Sequence, residues 1–447
     1  MKFLILNGSP KGGYSITLHT LLYLQKKFPQ QEFEILHVGQ KIKALEKDFS
    51  PALERIAAAD VLIFSYPVYT FIAPCQLHRF IELMKAHKVN VAGKIATQVT
   101  TSKHFYDVTA HRYIQDNVQE MGMHFIRGLS ADMDDLTTEN GRQEAENWFA
   151  HFLWSVSQGY FEPYSPIPPA VSVPVTAVEA PAVEKPGDVV IIADAPPEDA
   201  QLWGMINRFR SRLPYATRVV NLREYPFKGG CLGCFRCAAD GKCIYSDGFD
   251  GYLRNHIQTA DAMVYAFTIR DHSMGALFKM YDDRQFCNGH RTVTIGMPVA
   301  YLISGNYSRE TNLQMILEGR AQVGRNILAG IATDETDPDA AIDRLANSLS
   351  YSLEHKNTGP QNFLGVGGMK IFRDLIYQMR GLMQADHKFF KAQGQYDFPQ
   401  KKWPMSLAMY LVGGMIANPK LRSKLGNRMN EGMIAPYKKV LEKTEET

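Results

Sequence analysis

The sequence predicts an α/β protein built from two tandem, doubly wound parallel sheets of five strands each, followed by a helical C-terminal extension. Three observations carry this. Two successive segments of similar size alternate short β-branched strands with helical patterns; a proline-rich stretch separates them; and strand signals stop near residue 353. Strands alternating with helices argue for parallel βαβ units, whose right-handed crossovers wind one sheet in both directions. Two such units in tandem are a coarse internal repeat.

The first segment, residues 1–162, opens with the apolar strand Phe3–Leu6 and continues through EFEILHV, DVLIFSYP, KIATQVTT and MHFIRGL. Residues 163–187 carry Pro at short intervals and no helical period, so they read as a semi-rigid extended linker. The second segment, residues 188–352, opens with Val189–Ile192 and continues through RVVNLRE, AMVYAF, TVTIGMPVAYLIS and ILAGIAT. Residues 353–447 hold helical stretches such as MKIFRDLIYQMRGLM and SLAMYLVGGMIA.

At 447 residues the chain exceeds one ordinary core, and about three domains are expected. Its 45% hydrophobic and 21% charged content is that of a globular protein. A net charge of +3 is too small to imply a nucleic-acid partner. Only a few apolar residues precede Gly8, too short for a secretory core, and no run approaches a membrane span. Four of the six cysteines are clustered, which reads as metal chemistry in a reducing cytoplasm rather than a disulfide framework. Cys75 and Cys287 stand alone and read as core.

The first strand runs into Gly8-Ser9-Pro10-Lys11-Gly12-Gly13-Tyr14-Ser15-Ile16-Thr17 and then a helix. Backbone N–H groups and the helix dipole make that junction an anion site, and Ser9, Ser15 and Thr17 add hydroxyl donors. The loop lacks the Gly-Lys-Ser/Thr ending of a nucleotide-hydrolysing loop, and its glycines do not fit the dinucleotide fingerprint. Strand 3 ends in Ser65-Tyr66-Pro67-Val68-Tyr69-Thr70 and strand 4 in Thr100-Thr101-Ser102-Lys103-His104. These are neighbouring carboxyl-end loops at the switch point of a doubly wound sheet. Pro67-Val68-Tyr69 offers an apolar wall with backbone donors, and Tyr69 a stacking face.

This set of loops resembles the NADPH-dependent FMN reductase and flavodoxin-like quinone reductase superfamily over residues 1 to about 160. The resemblance implies a flavodoxin-like fold. It implies that Ser9, Pro10, Lys11, Ser15, Ile16 and Thr17 hold the FMN phosphate. Pro67, Val68, Tyr69 and Thr70 would flank the ring, with Thr100, Thr101, Ser102 and His104 on its far side. Where the family often carries Lys after the P-V-Y loop, this chain has His78. The implied activity is an FMN-dependent NAD(P)H oxidoreductase that passes electrons to a quinone-like or other small acceptor. Tyr69 would stack on the ring, and His104 and His272 are the candidate proton donors.

The second segment contains Cys231, Cys234, Cys237 and Cys243 in C-x2-C-x2-C-x5-C spacing among flexible glycines. Thiolate-only ligation at this spacing suits a [4Fe–4S] cluster, with four-thiolate zinc or unligated thiols as the competing readings. The motif, with Asp261-Ala262, Lys279 and Asp283-Arg284 after it, resembles the iron–sulfur flavoproteins. The first loop of this half departs from the family. It reads Ala193 to Ala200 with three carboxylates and no hydroxyl, so a second FMN is not expected. One half keeps the flavin loops and the other the cysteines, as in a single-chain pseudo-dimer. Two alternatives stay open: a non-catalytic electron-transfer module for a protein partner, and a zinc-stabilised scaffold. The spacing does not decide whether the chain also forms a homodimer. Residues 356–447 carry 15 Lys and Arg against 7 Asp and Glu. Such basic helices can pack on the sheets or lie on an anionic membrane surface, where a quinone reductase has reason to sit.

Overall fold

The computed structural model describes residues 1–169, 171–178, 184–420 and 428–445. Residues 1–389 form one compact unit and residues 390–447 a second. Helices of eight or more residues are numbered here.

In the first half the order is β1 Lys2–Asn7, α1 Ile16–Lys27, β2 Glu32–Leu36, α2 Ser50–Ala58, β3 Val61–Pro67, α3 Cys75–Ala86, β4 Ile95–Ser102, α4 Asp107–Glu120, β5 His124–Phe125, β6 Leu129–Asp132 and α5 Glu139–Gln158. The sheet order is β2-β1-β3-β4-β5, with β6 also on β4, and every pairing is parallel. The expected fifth strand is thus split in two. Gly128 lies at the break, where a Cβ would sit 2.2 Å from the Gln98 carbonyl oxygen. The central strands are apolar on both faces, as strands covered by helices on both sides must be: Phe3, Leu4, Ile5 and Leu6 are at most 1% exposed.

The second half repeats the plan with β7 Val189–Asp194, α6 Ala200–Arg212, β8 Thr217–Asn221, β9 Ala262–Thr268, α7 Gly275–Arg284, β10 Pro298–Ser304, α8 Thr311–Gly324, β11 Ile327–Thr333 and α9 Pro338–His355. Its order, β11-β10-β9-β7-β8, is the same 2-1-3-4-5 arrangement read from the other edge. The run TVTIGMPVAYLIS yields a strand only from Pro298, because residues 293–296 are taken by turns. The extension adds α10 Phe363–Gln378, α11 Gln384–Ala392, α12 Trp403–Ala417 and α13 Arg428–Glu445. No described helix is long and apolar enough to cross a membrane.

Residues 170 and 179–183 of the proline-rich stretch lie outside the described residues. Part of the rest runs along the second half: the Val173 N–H donates to the Asp334 carbonyl at 2.8 Å and the Thr176 N–H to Asp339 at 3.0 Å.

The halves meet through α3 and α7 over one continuous hydrophobic core that includes Leu77 and Phe80 from one side and Phe278 and Tyr281 from the other. Buried polar groups fix the register of this contact. Asp271 accepts from Tyr113 Oη at 2.8 Å, and its carboxylate lies 2.7 Å from His78 Nδ1. Burial alone would raise the Asp271 pKa, but the His78 and Tyr113 contacts lower it to about 2. His78, which departs from the family pattern, thus serves the contact between the halves. At the rim, His272 Nδ1 lies 2.9 Å from Glu310 and its Nε2 3.4 Å from Glu120. Burial would lower the His272 pKa, but these two carboxylates raise it to about 9. A raised folded-state pKa stabilises fully below the unfolded value, near 6.5, and the contribution is lost as pH rises through about 9. The urea midpoint should therefore decline between pH 7 and 9.5, on the order of these values, and His272→Gln should flatten that decline.

Candidate flavin site

The loop between β1 and α1 is held by its own hydrogen bonds. Asn7, the last residue of β1, accepts the Ser9 N–H at 3.2 Å and donates from its amide to the Gly12 carbonyl at 2.9 Å. Gly12 has φ +56°, and a Cβ there would strike the Gln40 side chain. Ser15 caps α1 by accepting from the Leu18 N–H at 3.4 Å. Helix geometry then leaves the Ile16 and Thr17 N–H groups without intrahelical acceptors, at the positive end of the dipole. Thr17 Oγ1 lies 2.6 Å from Thr101 Oγ1, so the first loop is tied to the third. The register Pro67↔Thr101 places the second loop beside them.

That second loop is a strained turn. Tyr69 and Ile72 exchange backbone hydrogen bonds of 2.8 and 3.2 Å, and the two residues between them, Thr70 and Phe71, have φ of 42° and 76°. This is the left-handed geometry of a type I′ turn, which non-glycine residues adopt only when held. Two groups hold it. Thr109 Oγ1 donates to the Phe71 carbonyl at 2.5 Å, and Lys279 Nζ of the second half donates to the Tyr69 carbonyl at 2.9 Å. Lys279 is fully buried and pairs with Asp283, whose other oxygen accepts the Cys75 N–H at 2.8 Å.

A cavity of about 410 Å³ opens on these loops. Ser9, Lys11, Ser15, Ile16 and Thr17 line it, as do Pro67 to Thr70, Thr101 and Ser102. The volume and the donor set fit a flavin mononucleotide: hydroxyls and free N–H groups at a helix start for a phosphate, and an apolar wall for a ring system. Three expected residues do not line it. Pro10 turns the loop outside it. Thr100 Oγ1 is bound 2.8 Å from the buried His111 ring. His104, at φ +58°, holds its imidazole 2.8 Å from Asp107. Phe71, Phe105 and Met133 line the cavity without having been anticipated.

The far wall comes from the second half. Cys231, Cys234, Cys237 and Cys243 all border the same cavity. The loop that carries them lies directly on Tyr69 and Lys11: a Cβ on Gly233 would sit 1.9 Å from the Tyr69 hydroxyl, and the Lys11 ammonium lies 5.4 Å from the Phe235 ring centre. The sulfurs themselves are not gathered. Among the described residues no group of three or more Cys, His, Asp or Glu side chains is placed to hold a metal ion. Cys237 Sγ donates to the Phe286 carbonyl at 3.0 Å, Cys231 Sγ accepts the Gly233 N–H at 3.4 Å, and Cys234 is exposed. Burial pushes the Cys237 thiol up to about 11. The thiols as arranged therefore do not fit a four-thiolate centre. Cys75 and Cys287 are buried, as expected of core residues.

The matching loop of the second half carries carboxylates that are already paired. Asp199 occupies the capping position of α6, accepting the Leu202 N–H at 3.1 Å as Ser15 does in α1. It also accepts from Thr268 at 2.6 Å, and Asp194 pairs with Arg223 at 2.7 Å. A carboxylate already satisfies this helix start and would repel a phosphate.

The extension closes the cavity. Phe372 of α10 stacks on Phe105 with ring centres 4.3 Å apart and meets the His290 ring edge-on at 4.7 Å. The Tyr106 hydroxyl donates to the Leu364 carbonyl at 2.9 Å. The fully buried Asp386 receives the His290 N–H at 3.2 Å and Arg291 at 2.9 Å.

Similarity to known proteins is found over part of the chain. Residues 1–134 match the NADPH-dependent FMN reductase family. The match ends just after Met133, the last first-half residue that lines the cavity, and the cysteine half and the extension lie beyond it. Solved structures similar to parts of the chain include an FMN-dependent NADH-azoreductase from Bacillus anthracis in complex with FMN (12% identity, 34% of this chain and 99% of that one, TM-score 0.29). An NADH:FMN oxidoreductase in its apo form is 20% identical over 34% of this chain and 89% of that one, with TM-score 0.30. An NADPH-quinone reductase from P. pentosaceus is 14% identical over 34% and 97%, with TM-score 0.28. No curated protein matches.

Proposed function

We propose that the chain is an FMN-dependent NAD(P)H oxidoreductase with one flavin site, in the first half, acting on a small electron acceptor. The observation that carries this is the joining of three switch-point loops around one cavity, tied by the Thr17–Thr101 contact. Bound FMN would supply two-electron acceptance from a nicotinamide and release to an acceptor. The chain's residues bind and shape. Ser9, Ser15, Thr17 and the N–H groups of Ile16 and Thr17 hold the phosphate. The Pro67–Thr70 turn fixes the ring edge, and Thr101 and Ser102 close the other side. Phe105, Phe372 and the cysteine loop exclude water from the open face.

The test is direct. Purified protein should bind FMN and oxidise NADH or NADPH with a quinone or azo acceptor; a chain that binds no flavin would overturn the reading. Because Phe372 comes from the extension and stacks on Phe105 rather than on the phosphate loop, Phe372→Ala should leave FMN affinity within about twofold while raising kcat/KM for bulky acceptors by roughly tenfold, the cost of one pocket contact. Steady-state kinetics with acceptors of graded size reads this.

The finer reading, a [4Fe–4S] cluster on Cys231, Cys234, Cys237 and Cys243, requires those side chains to rotate towards one centre. Their shared border on the cavity and the left-handed Gly233 and Gly241 support it; the present sulfur positions do not. Iron and acid-labile sulfide analysis of protein purified without oxygen reads it: stoichiometric iron lost in Cys234→Ser establishes the cluster, and iron-free protein removes it.

A further inference from the structure

The second unit exposes more apolar surface than a helical tail in water should. Helix α12, Trp403–Ala417, has no charged residue and no buried residue. Trp403, Met405, Leu407, Met409, Tyr410 and Leu411 are 54–81% exposed. These residues point to all sides, whereas a helix that packs on one partner needs only a stripe. Helix α13 differs. Its exposed Met433, Ile434, Tyr437, Val440 and Leu441 follow the i, i+1, i+4, i+7, i+8 spacing of one apolar face.

The charges beside these surfaces indicate what covers them. Lys401 and Lys402 precede α12 and Lys420 follows it; Lys438 and Lys439 flank the α13 stripe. Residues 390–447 carry ten Lys and Arg against five Asp and Glu. Cations at both ends of an apolar helix, with Trp403 at its start, match the order of a lipid interface: acyl chains against the apolar body, aromatic rings at headgroup level, ammonium groups at the phosphates. At about 1.5 Å per residue α12 is roughly 22 Å long, short of the ~30 Å hydrocarbon core, so it suits lying in the interface rather than spanning it.

We propose that α12 and α13 dock the protein on an anionic bilayer surface. The flavin reading is not needed for this, and the two fail separately.

The experiment is co-sedimentation of the full chain with phosphatidylcholine vesicles, with and without phosphatidylserine. Binding should be strong only with phosphatidylserine and should weaken as salt rises. Leu411→Glu should lower it by about tenfold or more, since a carboxylate must leave water there. Lys401→Glu with Lys402→Glu should remove the preference for anionic lipid. If Leu411→Glu fails to fold by circular dichroism, Tyr410→Asp, at the 81% exposed position, carries the same test. No sedimentation with either vesicle would overturn the proposal. So would a concentration-dependent dimer in sedimentation velocity that Leu411→Glu abolishes while vesicles stay unbound, because the surface would then face a second copy.

Discussion

Lys279→Met is expected to destabilise the chain by about 3–5 kcal/mol and to cripple flavin binding, although Lys279 belongs to the half without flavin loops. The ammonium is fully buried, pairs with Asp283, lies 3.4 Å from Asp282 and donates to the Tyr69 carbonyl. Removing it leaves Asp283 as a buried carboxylate without its counter-ion. Burial already raises the Asp283 pKa, and Lys279 is the largest influence against that rise. The loss therefore appears as instability at neutral pH, read by the urea midpoint. A second change separates the two roles. Lys279→Met with Asp283→Asn removes both charges and keeps an oxygen for the Cys75 N–H, so most of the stability should return. The Tyr69–Ile72 turn would still lack its second-half anchor, so FMN affinity should stay at least about tenfold low. Recovery of both together would mean that Lys279 acts on stability alone.

Ser15→Asp is expected to abolish flavin binding without unfolding anything. Aspartate caps a helix as well as serine, so the hydrogen bond to the Leu18 N–H survives. The new carboxylate sits where a phosphate must bind. At ~4 Å and an effective dielectric near 20, like charges repel by about 4 kcal/mol, so FMN affinity should fall by at least about a hundredfold. Asp199 holds the matching capping place in the second half, where no FMN is expected. Flavin fluorescence titration measures the affinity and the thermal midpoint reports the fold. Ser15→Ala is the control; it should cost about 1 kcal/mol of cap stability and a far smaller part of the affinity.

Features set by local chemistry were legible in the sequence. Apolar strands alternating with helices gave both parallel sheets, and the hydroxyl-rich loop before α1 lines the cavity. Chain-distant contacts were not legible. Nothing near Pro67-Val68-Tyr69 says that Thr70 and Phe71 adopt left-handed backbone, because the force that holds them comes from Thr109 and Lys279. Lys279 itself was visible in the sequence as part of a family pattern, but its partner, 210 residues away, was not. Nor does a loop histidine announce its direction: His104 turned to Asp107, three residues on. The cysteine spacing permits four sulfurs to converge but does not compel them, and here the loop is used to cover Tyr69. Phe372 was hidden because its helix reads as a plain amphipathic element until Phe105 is placed beside it.

A single FMN is expected in the first half, within a cavity that the second half completes. FMN titration into flavin-free full-length protein, by calorimetry, tests it most directly. The account predicts one FMN per chain, lost in Ser15→Asp and unchanged in Asp199→Ala. Two FMN per chain, or one that survives Ser15→Asp, would contradict it.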